Sequence, residues 1–273
     1  MKHKYFIVIL LLTTTSLFSQ NRGKQFALYS TVGAKGTVGA SFIKNANMSA
    51  DNNLDYKSGL FYSYGLKTSL SYLGKAPRNA LLGFYFDYLW GAYPIKFTKI
   101  ITDNGSYNKT VDLKTNDMVL TFRYTNVPKK WMLEAGSQFT KYRSINHSNS
   151  VTDSNFDYLV DDYKYEDNYQ DYTSLVLGAG VFFKGAVVSL RYTTSLSSIT
   201  KPDANPIKDG YYNSELVNTN YSQQYNSTVD TKHNTILLTI EYYIPFIKLK
   251  RSSCGGSAFY FFKNIDTTYY WGR

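Results

Sequence analysis

The chain has 273 residues, a formal net charge of +10, 27 tyrosines, 17 phenylalanines and a single cysteine. One cysteine excludes an internal disulfide framework. Beyond the N-terminal segment, no apolar run reaches the roughly 18 residues that a transmembrane helix needs. Part of the positive charge lies at the two ends, and the sequence contains no nucleic-acid reader motif. The charge therefore does not predict nucleic-acid binding and fits acidic lipid head groups or lipopolysaccharide phosphates better.

The first 19 residues have the three parts of a secretory signal peptide. Lys2 and Lys4 give a basic start, residues 5–12 are apolar, and small residues lead to a plausible cleavage position after Ser19. This segment is too short to span a bilayer as a helix and predicts export. We divide the rest into a β-domain at 20–246 and a basic, aromatic tail at 247–273 that we expect to be periplasmic.

Eight segments after the signal peptide alternate between apolar and mixed residues, as β-strands with two different faces do. In 79–92, for example, Phe84, Phe86 and Trp90 share one face, whereas Asp87 lies on the other. Each segment is about as long as a tilted transmembrane strand or longer. The eight segments are 26–42, 58–72, 79–92, 117–125, 131–143, 172–183, 186–196 and 234–246.

Every charge near the middle of these strands falls on the same one of the two faces. A Lys or Arg facing lipid at mid-bilayer costs about 2–4 kcal/mol, so this segregation favours a membrane barrel over a soluble β-sandwich, which stays the alternative. We expect an ionic network inside the barrel, with Lys67 opposite Asp87, Arg123 diagonal to Glu134, and Arg191 at the height of Glu241. The seven predicted interior charges are Lys35, Lys67, Asp87, Arg123, Glu134, Arg191 and Glu241.

The connections between the strands alternate in length. Short turns at 73–78, 126–130 and 184–185 alternate with long loops at 43–57, 93–116, 144–171 and 197–233. This asymmetry is typical of an outer-membrane barrel with both termini in the periplasm. Aromatic side chains near the strand ends predict contacts with the two membrane interfaces; these are Tyr72, Trp90, Tyr124, Trp131, Phe183, Tyr242 and Phe246.

The segment TILLTIEYYIPF at 235–246 resembles the aromatic-ended closing strand of small outer-membrane barrels. Together with the signal peptide, the strand pattern and the loop asymmetry, it makes the chain similar to the OmpA/OmpX-like barrels, in the style of Bacteroidetes, over 26–246. The resemblance implies an all-β, antiparallel, up-and-down transmembrane barrel of eight strands in the outer membrane of a Gram-negative bacterium. The chain continues past Phe246, and 257–263 could form a further strand, so ten strands stay open.

An eight-stranded barrel is just wide enough for its own side chains to fill it. We therefore predict a plugged, ion-paired interior, with a narrow passive pore as the alternative. The long loops at 144–171 and 197–233 are rich in tyrosine and suit a protein or glycan partner, as in a surface adhesin or receptor. The predicted protein is a monomer with a structural, envelope-associated or surface-interaction role.

We predict no catalytic residue, cofactor or metal. Only His147 and His233 remain after the signal peptide, both at predicted strand–loop boundaries, and their spacing matches no barrel lipase motif. A lipid-modifying enzyme at the rim is the least favoured alternative. The acidic loop at 153–171 could bind Ca²⁺, but it lacks the ligand alternation and the glycine of an EF-hand loop.

Overall fold

The computed structural model describes residues 26–44, 54–74, 80–102, 105–127, 129–151, 169–183, 186–201, 231–251 and 257–261. The predicted signal peptide, the acidic stretch at 152–168 and most of the loop at 197–233 lie outside these residues. No described helix is long and apolar enough to cross a membrane. The strands in the described residues are β1 (Phe26–Lys44), β2 (Leu54–Ser58), β3 (Leu60–Gly74), β4 (Ala80–Thr102), β5 (Gly105–Asn126), β6 (Trp131–Val151), β7 (Tyr172–Phe183), β8 (Ala186–Ser195), β9 (Lys232–Arg251) and β10 (Ser257–Phe261).

Eight of these strands form a closed ring. Their order is β1-β3-β4-β5-β6-β7-β8-β9, every neighbouring pair is antiparallel, and β9 pairs with β1 to close the circle. Two short strands lie outside the ring, because β2 pairs with β4 and β10 pairs with β9. The predicted eight-stranded up-and-down barrel is confirmed, and the additional strands do not enter its wall.

The strands are staggered around the ring. Following register partners once around the wall from position 29 of β1 leads back to β1 at position 39, ten residues further along. Such a stagger is how a barrel closes with its strands tilted against the axis. The row passes through Tyr29, Ser71, Gly83, Arg123, Glu134, Gly178, Arg191, Leu237 and Gly39.

The barrel has its apolar face outside and its charged face inside. Large side chains such as Leu66, Phe84 and Ile240 are between 55 and 60% exposed on the outer wall, whereas Asp87 and Glu241 inside are fully buried. Among the described residues, no second sheet covers the outer face, so the predicted β-sandwich alternative is wrong. In water this arrangement would expose a continuous apolar band; hydrocarbon is the solvent that suits it.

The predicted loop at 93–116 is wrong, because β4 and β5 continue through most of it as a long hairpin. Tyr93 and Ile95 on β4 and Val111 and Leu113 on β5 face inward and are buried in one cluster. Their packing holds strand geometry well past the segments expected to cross the membrane. Strand β6 likewise continues to Val151, into the predicted loop at 144–171.

The closing strand also runs further than predicted. Strand β9 pairs with β1 as far as Arg251, five positions beyond Phe246. The register between the two strands shifts at Ser30 and Thr31, which pair with Ile247 and Pro245. A bulge here accommodates the proline, which has no N–H to donate to the ladder.

Candidate functional site

The seven predicted interior charges lie in one buried cluster, which we call the ionic layer. Each comes from a different strand of the ring, and only β7 contributes none of them. All seven have at most 4% of their surface exposed. The two-residue period of a strand explains this convergence, because it turns the same face of every strand toward the barrel axis.

Glu134 connects the two arginines of the layer. Its Oε2 accepts from Arg123 Nη2 at 2.7 Å, and its Oε1 lies 2.8 Å from Arg191 Nη2. Arg123 extends the chain of contacts through Nη1, which donates to Glu241 Oε2 at 2.8 Å. The planar guanidinium of Arg123 thus holds two carboxylates at once, a geometry that a lysine could not reproduce.

Asp87 and the two lysines complete a closed circuit of alternating charges. Lys35 Nζ lies 2.5 Å from Asp87 Oδ2 and 3.2 Å from Glu241 Oε1. Lys67 Nζ lies 2.6 Å from Glu241 Oε2 and 3.6 Å from Asp87 Oδ1. Asp87 Oδ2 is also 3.5 Å from Arg191 Nη2. Four cations therefore share three carboxylates, and every member touches at least two opposite charges.

Two of the expected pairs form, one of them with a different geometry. Lys67 is the register partner of Asp87, as predicted. Arg123 and Glu134 are direct register partners on β5 and β6, not diagonal neighbours. Direct opposition brings the two side chains close enough for two hydrogen bonds from Arg123 to one carboxylate oxygen.

The expected pairing of Arg191 with Glu241 is wrong. The register places Arg191 opposite Leu237 and Glu241 opposite Val187, four residues away along β9. Arg191 reaches instead across the lumen to Glu134 and Asp87. The tilt of the strands accounts for this, because it brings together charges that adjacent strands hold at different register positions.

Aromatic and apolar side chains fill the barrel on the side of the short turns. Tyr85 lies beneath the ionic layer, with its ring centroid 4.7 Å from Lys67 Nζ and 4.3 Å from Arg123 Cζ. A cluster of buried apolar residues closes this end; its members are Tyr29, Leu81, Val127, Met132, Phe182, Val187 and Tyr243.

A second polar layer lies toward the long loops and contains His233. Its ring stacks on Tyr93 at 4.4 Å, and its Nδ1 is 2.7 Å from Tyr172 Oη. Tyr93 and Tyr142 share a hydrogen bond of 3.2 Å between their hydroxyl groups. His233 is thus at a strand end, as expected, but is buried inside the barrel and not part of an open rim. The side chain of His147 lies outside the described residues.

An apolar cluster surrounds this second layer at the outer end of the barrel. It contains Ile43, Phe61, Tyr93, Ile95, Val111, Leu113, Tyr169, Tyr172, Ile199 and Leu237. These residues come from six strands of the ring and from the segments that flank β7 and β8, so buried apolar side chains lie at both ends of the described interior. The strand pattern did not predict this outer cluster, because most of its residues lie in predicted loops.

Asp117 is a buried carboxylate that sequence reasoning missed. It faces inward on β5, with Thr140 as its register partner on β6, and accepts a 3.4 Å hydrogen bond from Thr115 Oγ1. Asp117 is six residues before Arg123, an even spacing that places both side chains on the inward face of β5. The alternation of the strand was therefore enough to predict that Asp117 faces the interior. Within the described chain, Asp117 forms no salt bridge with the ionic layer. It is also not part of any group of three or more described side chains that could hold a metal ion.

Six of the seven predicted interface aromatics lie on the outer wall. Phe183 and Tyr242 are exposed there, and Tyr72, Tyr124, Trp131 and Trp90 are half-buried against their neighbours. Tyr124 and Trp131 pack at 5.3 Å near the short turns. Trp90 contacts Tyr64 at 5.8 Å and Tyr88 at 5.3 Å toward the long loops. The side chain of Phe246 lies outside the described residues.

Replacing Gly178 by alanine tests how tightly Glu134 is held. A Cβ at Gly178 would lie 2.6 Å from Glu134 Oε1 and 2.8 Å from its Cγ, so the carboxylate would have to move away from both arginines. We expect the free energy of unfolding to fall by about 1–3 kcal/mol, measured by urea titration in detergent micelles or lipid vesicles. The matched control is Gly36→Ala, because a Cβ there meets no atom within 4 Å. Equal stability of the two variants would contradict the prediction.

No protein-family model and no curated protein sequence matches the chain. Among solved structures, the chain is similar to the attachment invasion locus protein Ail of Yersinia pestis, in complex with the heparin analogue sucrose octasulfate. The identity is 14%, over 81% of this chain and 99% of that chain, with a TM-score of 0.25. It is also similar to the outer membrane protease OmpT from Escherichia coli, with 9% identity over 81% and 96% of the two chains and a TM-score of 0.27.

A third similar structure is the translocator domain of the autotransporter NalP from Neisseria meningitidis. Its identity is 8%, over 88% of this chain and 95% of that chain, with a TM-score of 0.27. At these TM-scores, the similarities provide no evidence about the fold beyond what the strand register shows.

Proposed function

We propose that this protein is an integral outer-membrane barrel that anchors a surface-interaction module and does not conduct solutes. The observation that carries the proposal is the sequence of buried layers across the described interior: the ionic layer lies between apolar residues on the short-turn side and the His233 layer with its surrounding apolar cluster on the other. A barrel stabilised in this way provides a rigid base. The proposal assigns no reaction and no cofactor to the protein.

The extended strands at the long-loop end support an interaction role. Strands β4, β5 and β6 continue well past the register partners Trp90, Asn116 and Lys141, and β2 pairs with the outer part of β4. From Lys141 onward, β5 is the only strand neighbour of β6 in the described chain. A strand edge of this kind can pair with an extended segment of another protein.

The positions of the chain ends in the ring support the proposed orientation in the membrane. β1 begins and β9 ends on the side of the short turns, so the proposal puts both termini in the periplasm and the extended strands outside the cell. The predicted signal peptide supports export to this compartment. We expect the molecule to act as a monomer with outer-membrane lipids around it.

Two experiments on the refolded protein test the closed interior and the interaction role separately. In planar bilayers, we expect no steady openings of porin size, because buried side chains fill the described lumen. A variant in which Asn-Gly replaces residues 97–109 would join the register partners Lys96 and Thr110 through a two-residue hairpin turn. We expect it to insert normally and to lose extracellular protein partners that the full chain retains.

The controls separate the proposed role from the narrow pore. A porin of known conductance in the same bilayer shows that channels are detectable, and a heat-dependent shift in gel mobility shows that the sample is folded. Steady openings of the wild-type barrel would overturn the closed interior. Identical partners for the full chain and the shortened hairpin would overturn an interaction role for this hairpin.

A further inference from the structure

Basic residues appear on the outer wall where the apolar band ends on β5 and β6. Tyr64, Trp90, Asn116 and Lys141 are register partners in one row across β3, β4, β5 and β6. From the short turns up to this row, the described outward-facing side chains of the barrel strands include no Asp, Glu, Lys or Arg. Lys141 therefore marks the end of the apolar stretch on β6.

Lys114 and Arg143 lie beside Lys141 and form what we call the basic patch. Lys114 is two residues from Asn116 on the same face of β5, so it is a diagonal neighbour of Lys141. The register between β5 and β6 shifts here: Lys114 pairs with Ser144 and Thr115 pairs with Tyr142, which leaves Arg143 as the extra residue of a bulge. Bulges redirect side chains, and all three bases of the patch are exposed.

The patch has an excess of positive charge. Within the described part of the chain, no carboxylate forms a salt bridge with Lys114, Lys141 or Arg143. Two exposed acids lie near the patch: Asp112, two residues from Lys114 on β5, and Asp171, whose Oδ1 accepts a hydrogen bond from the backbone N–H of Tyr142 between Lys141 and Arg143. The three bases still outnumber these two acids. Three like charges held together on a rigid sheet favour a multiply charged anion.

We infer that the basic patch binds the phosphate groups of a glycolipid in the outer leaflet. The inference rests on the proposed outer-membrane placement and gives the general expectation of lipid contact a defined site. The three bases supply the charge, and Trp90, packed between Tyr64 and Tyr88, supplies an amphipathic surface next to them at the interface.

The position of the patch favours a lipid over a soluble polyanion. Its side chains project sideways from the barrel wall at the end of the apolar band, where the head groups of lipids next to the barrel lie. A soluble sulfated glycan would meet the extended strands before it reached this level. A lipid can satisfy both parts of the site at once, with its phosphates on the bases and its chains against the apolar wall below.

The test uses the full mature chain in nanodiscs that contain lipopolysaccharide with or without its lipid A phosphates. The patch variant is Lys114→Ser with Lys141→Ser, and the control is Lys96→Ser with Lys129→Ser, which removes the same charge from exposed positions elsewhere. The readout is the amount of each lipopolysaccharide that stays with the protein during purification, followed by native mass spectrometry.

We expect the wild type and the control to retain about tenfold more phosphorylated than dephosphorylated glycolipid, and the patch variant to lose this preference. Raising the salt concentration should reduce the preference, since exposed charges are screened.

Equal retention by the patch variant and the control would overturn the inference while leaving the membrane placement intact. Binding of soluble sucrose octasulfate to the patch, with no preference among the glycolipids, would overturn it in favour of a soluble polyanion. Failure of all variants to enter nanodiscs would instead overturn the placement itself.

Discussion

Replacing Glu241 by glutamine is expected to lower the free energy of unfolding by about 3–5 kcal/mol, the usual cost of removing one partner from a buried ionic cluster. Glu241 contacts Lys35, Lys67 and Arg123 at distances of 2.6 to 3.2 Å. The variant would leave four buried cations with two carboxylates. Glutamine keeps the size of the side chain, so the loss measures charge and not an empty space.

The measurement is urea-induced unfolding of the refolded barrel in lipid vesicles, followed by tryptophan fluorescence and by gel mobility without heating. The control is Asp112→Asn, which removes an exposed carboxylate from the outer face of β5. We expect the control to stay within about 0.5 kcal/mol of the wild type. A Glu241→Gln barrel as stable as the control would show that the ionic layer contributes little to the fold.

Replacing Leu120 by arginine is expected to cost about 2–4 kcal/mol when the barrel folds into lipid. Leu120 is half exposed on the outer face of β5, between its register partners Phe86 and Ser137 and near the middle of the apolar band. An arginine there would place a charge in hydrocarbon. The same substitution at Ser148, which is exposed on the extended part of β6, should change the folding free energy little.

The two arginine variants separate a membrane barrel from one that folds in water. The relevant measurement is the fraction folded as urea is diluted in the presence of vesicles. If Leu120→Arg and Ser148→Arg fold equally well, or if the mature chain folds without detergent or lipid, the apolar wall does not face hydrocarbon.

The two-residue period was sufficient to assign the faces of the barrel strands. Asp87, Glu134 and Arg191 were placed inside from parity alone, and all three lie there. Parity does not determine which charges meet, because partners such as Lys35 and Asp87 lie on strands separated by β3. Their contact depends on the stagger and width of the closed ring, and neither can be deduced from the sequence of a single strand.

The errors at the long-loop end have a related cause. Tyr93, Ile95, Val111 and Leu113 alternate as strand residues do, but they lie beyond the length that a bilayer requires, so the segment was assigned to a loop. Their buried packing against residues from other parts of the chain keeps the hairpin extended. The burial of His233 was not predicted for the same reason, since it depends on Tyr93 and Tyr172 from distant strands.

The seam between β1 and β9 joins the first and last strands of the wall. Lys35 and Glu241 are register partners across it, and their side chains meet at 3.2 Å. Lys35 and Lys67 therefore lack their contacts with Glu241 until the far end of the chain has been added, and before that Asp87 is the carboxylate that reaches both of them. A chain that stops before β9 would have four interior cations facing two carboxylates in an open wall, and we expect it to insert less stably and to be degraded faster than the complete barrel.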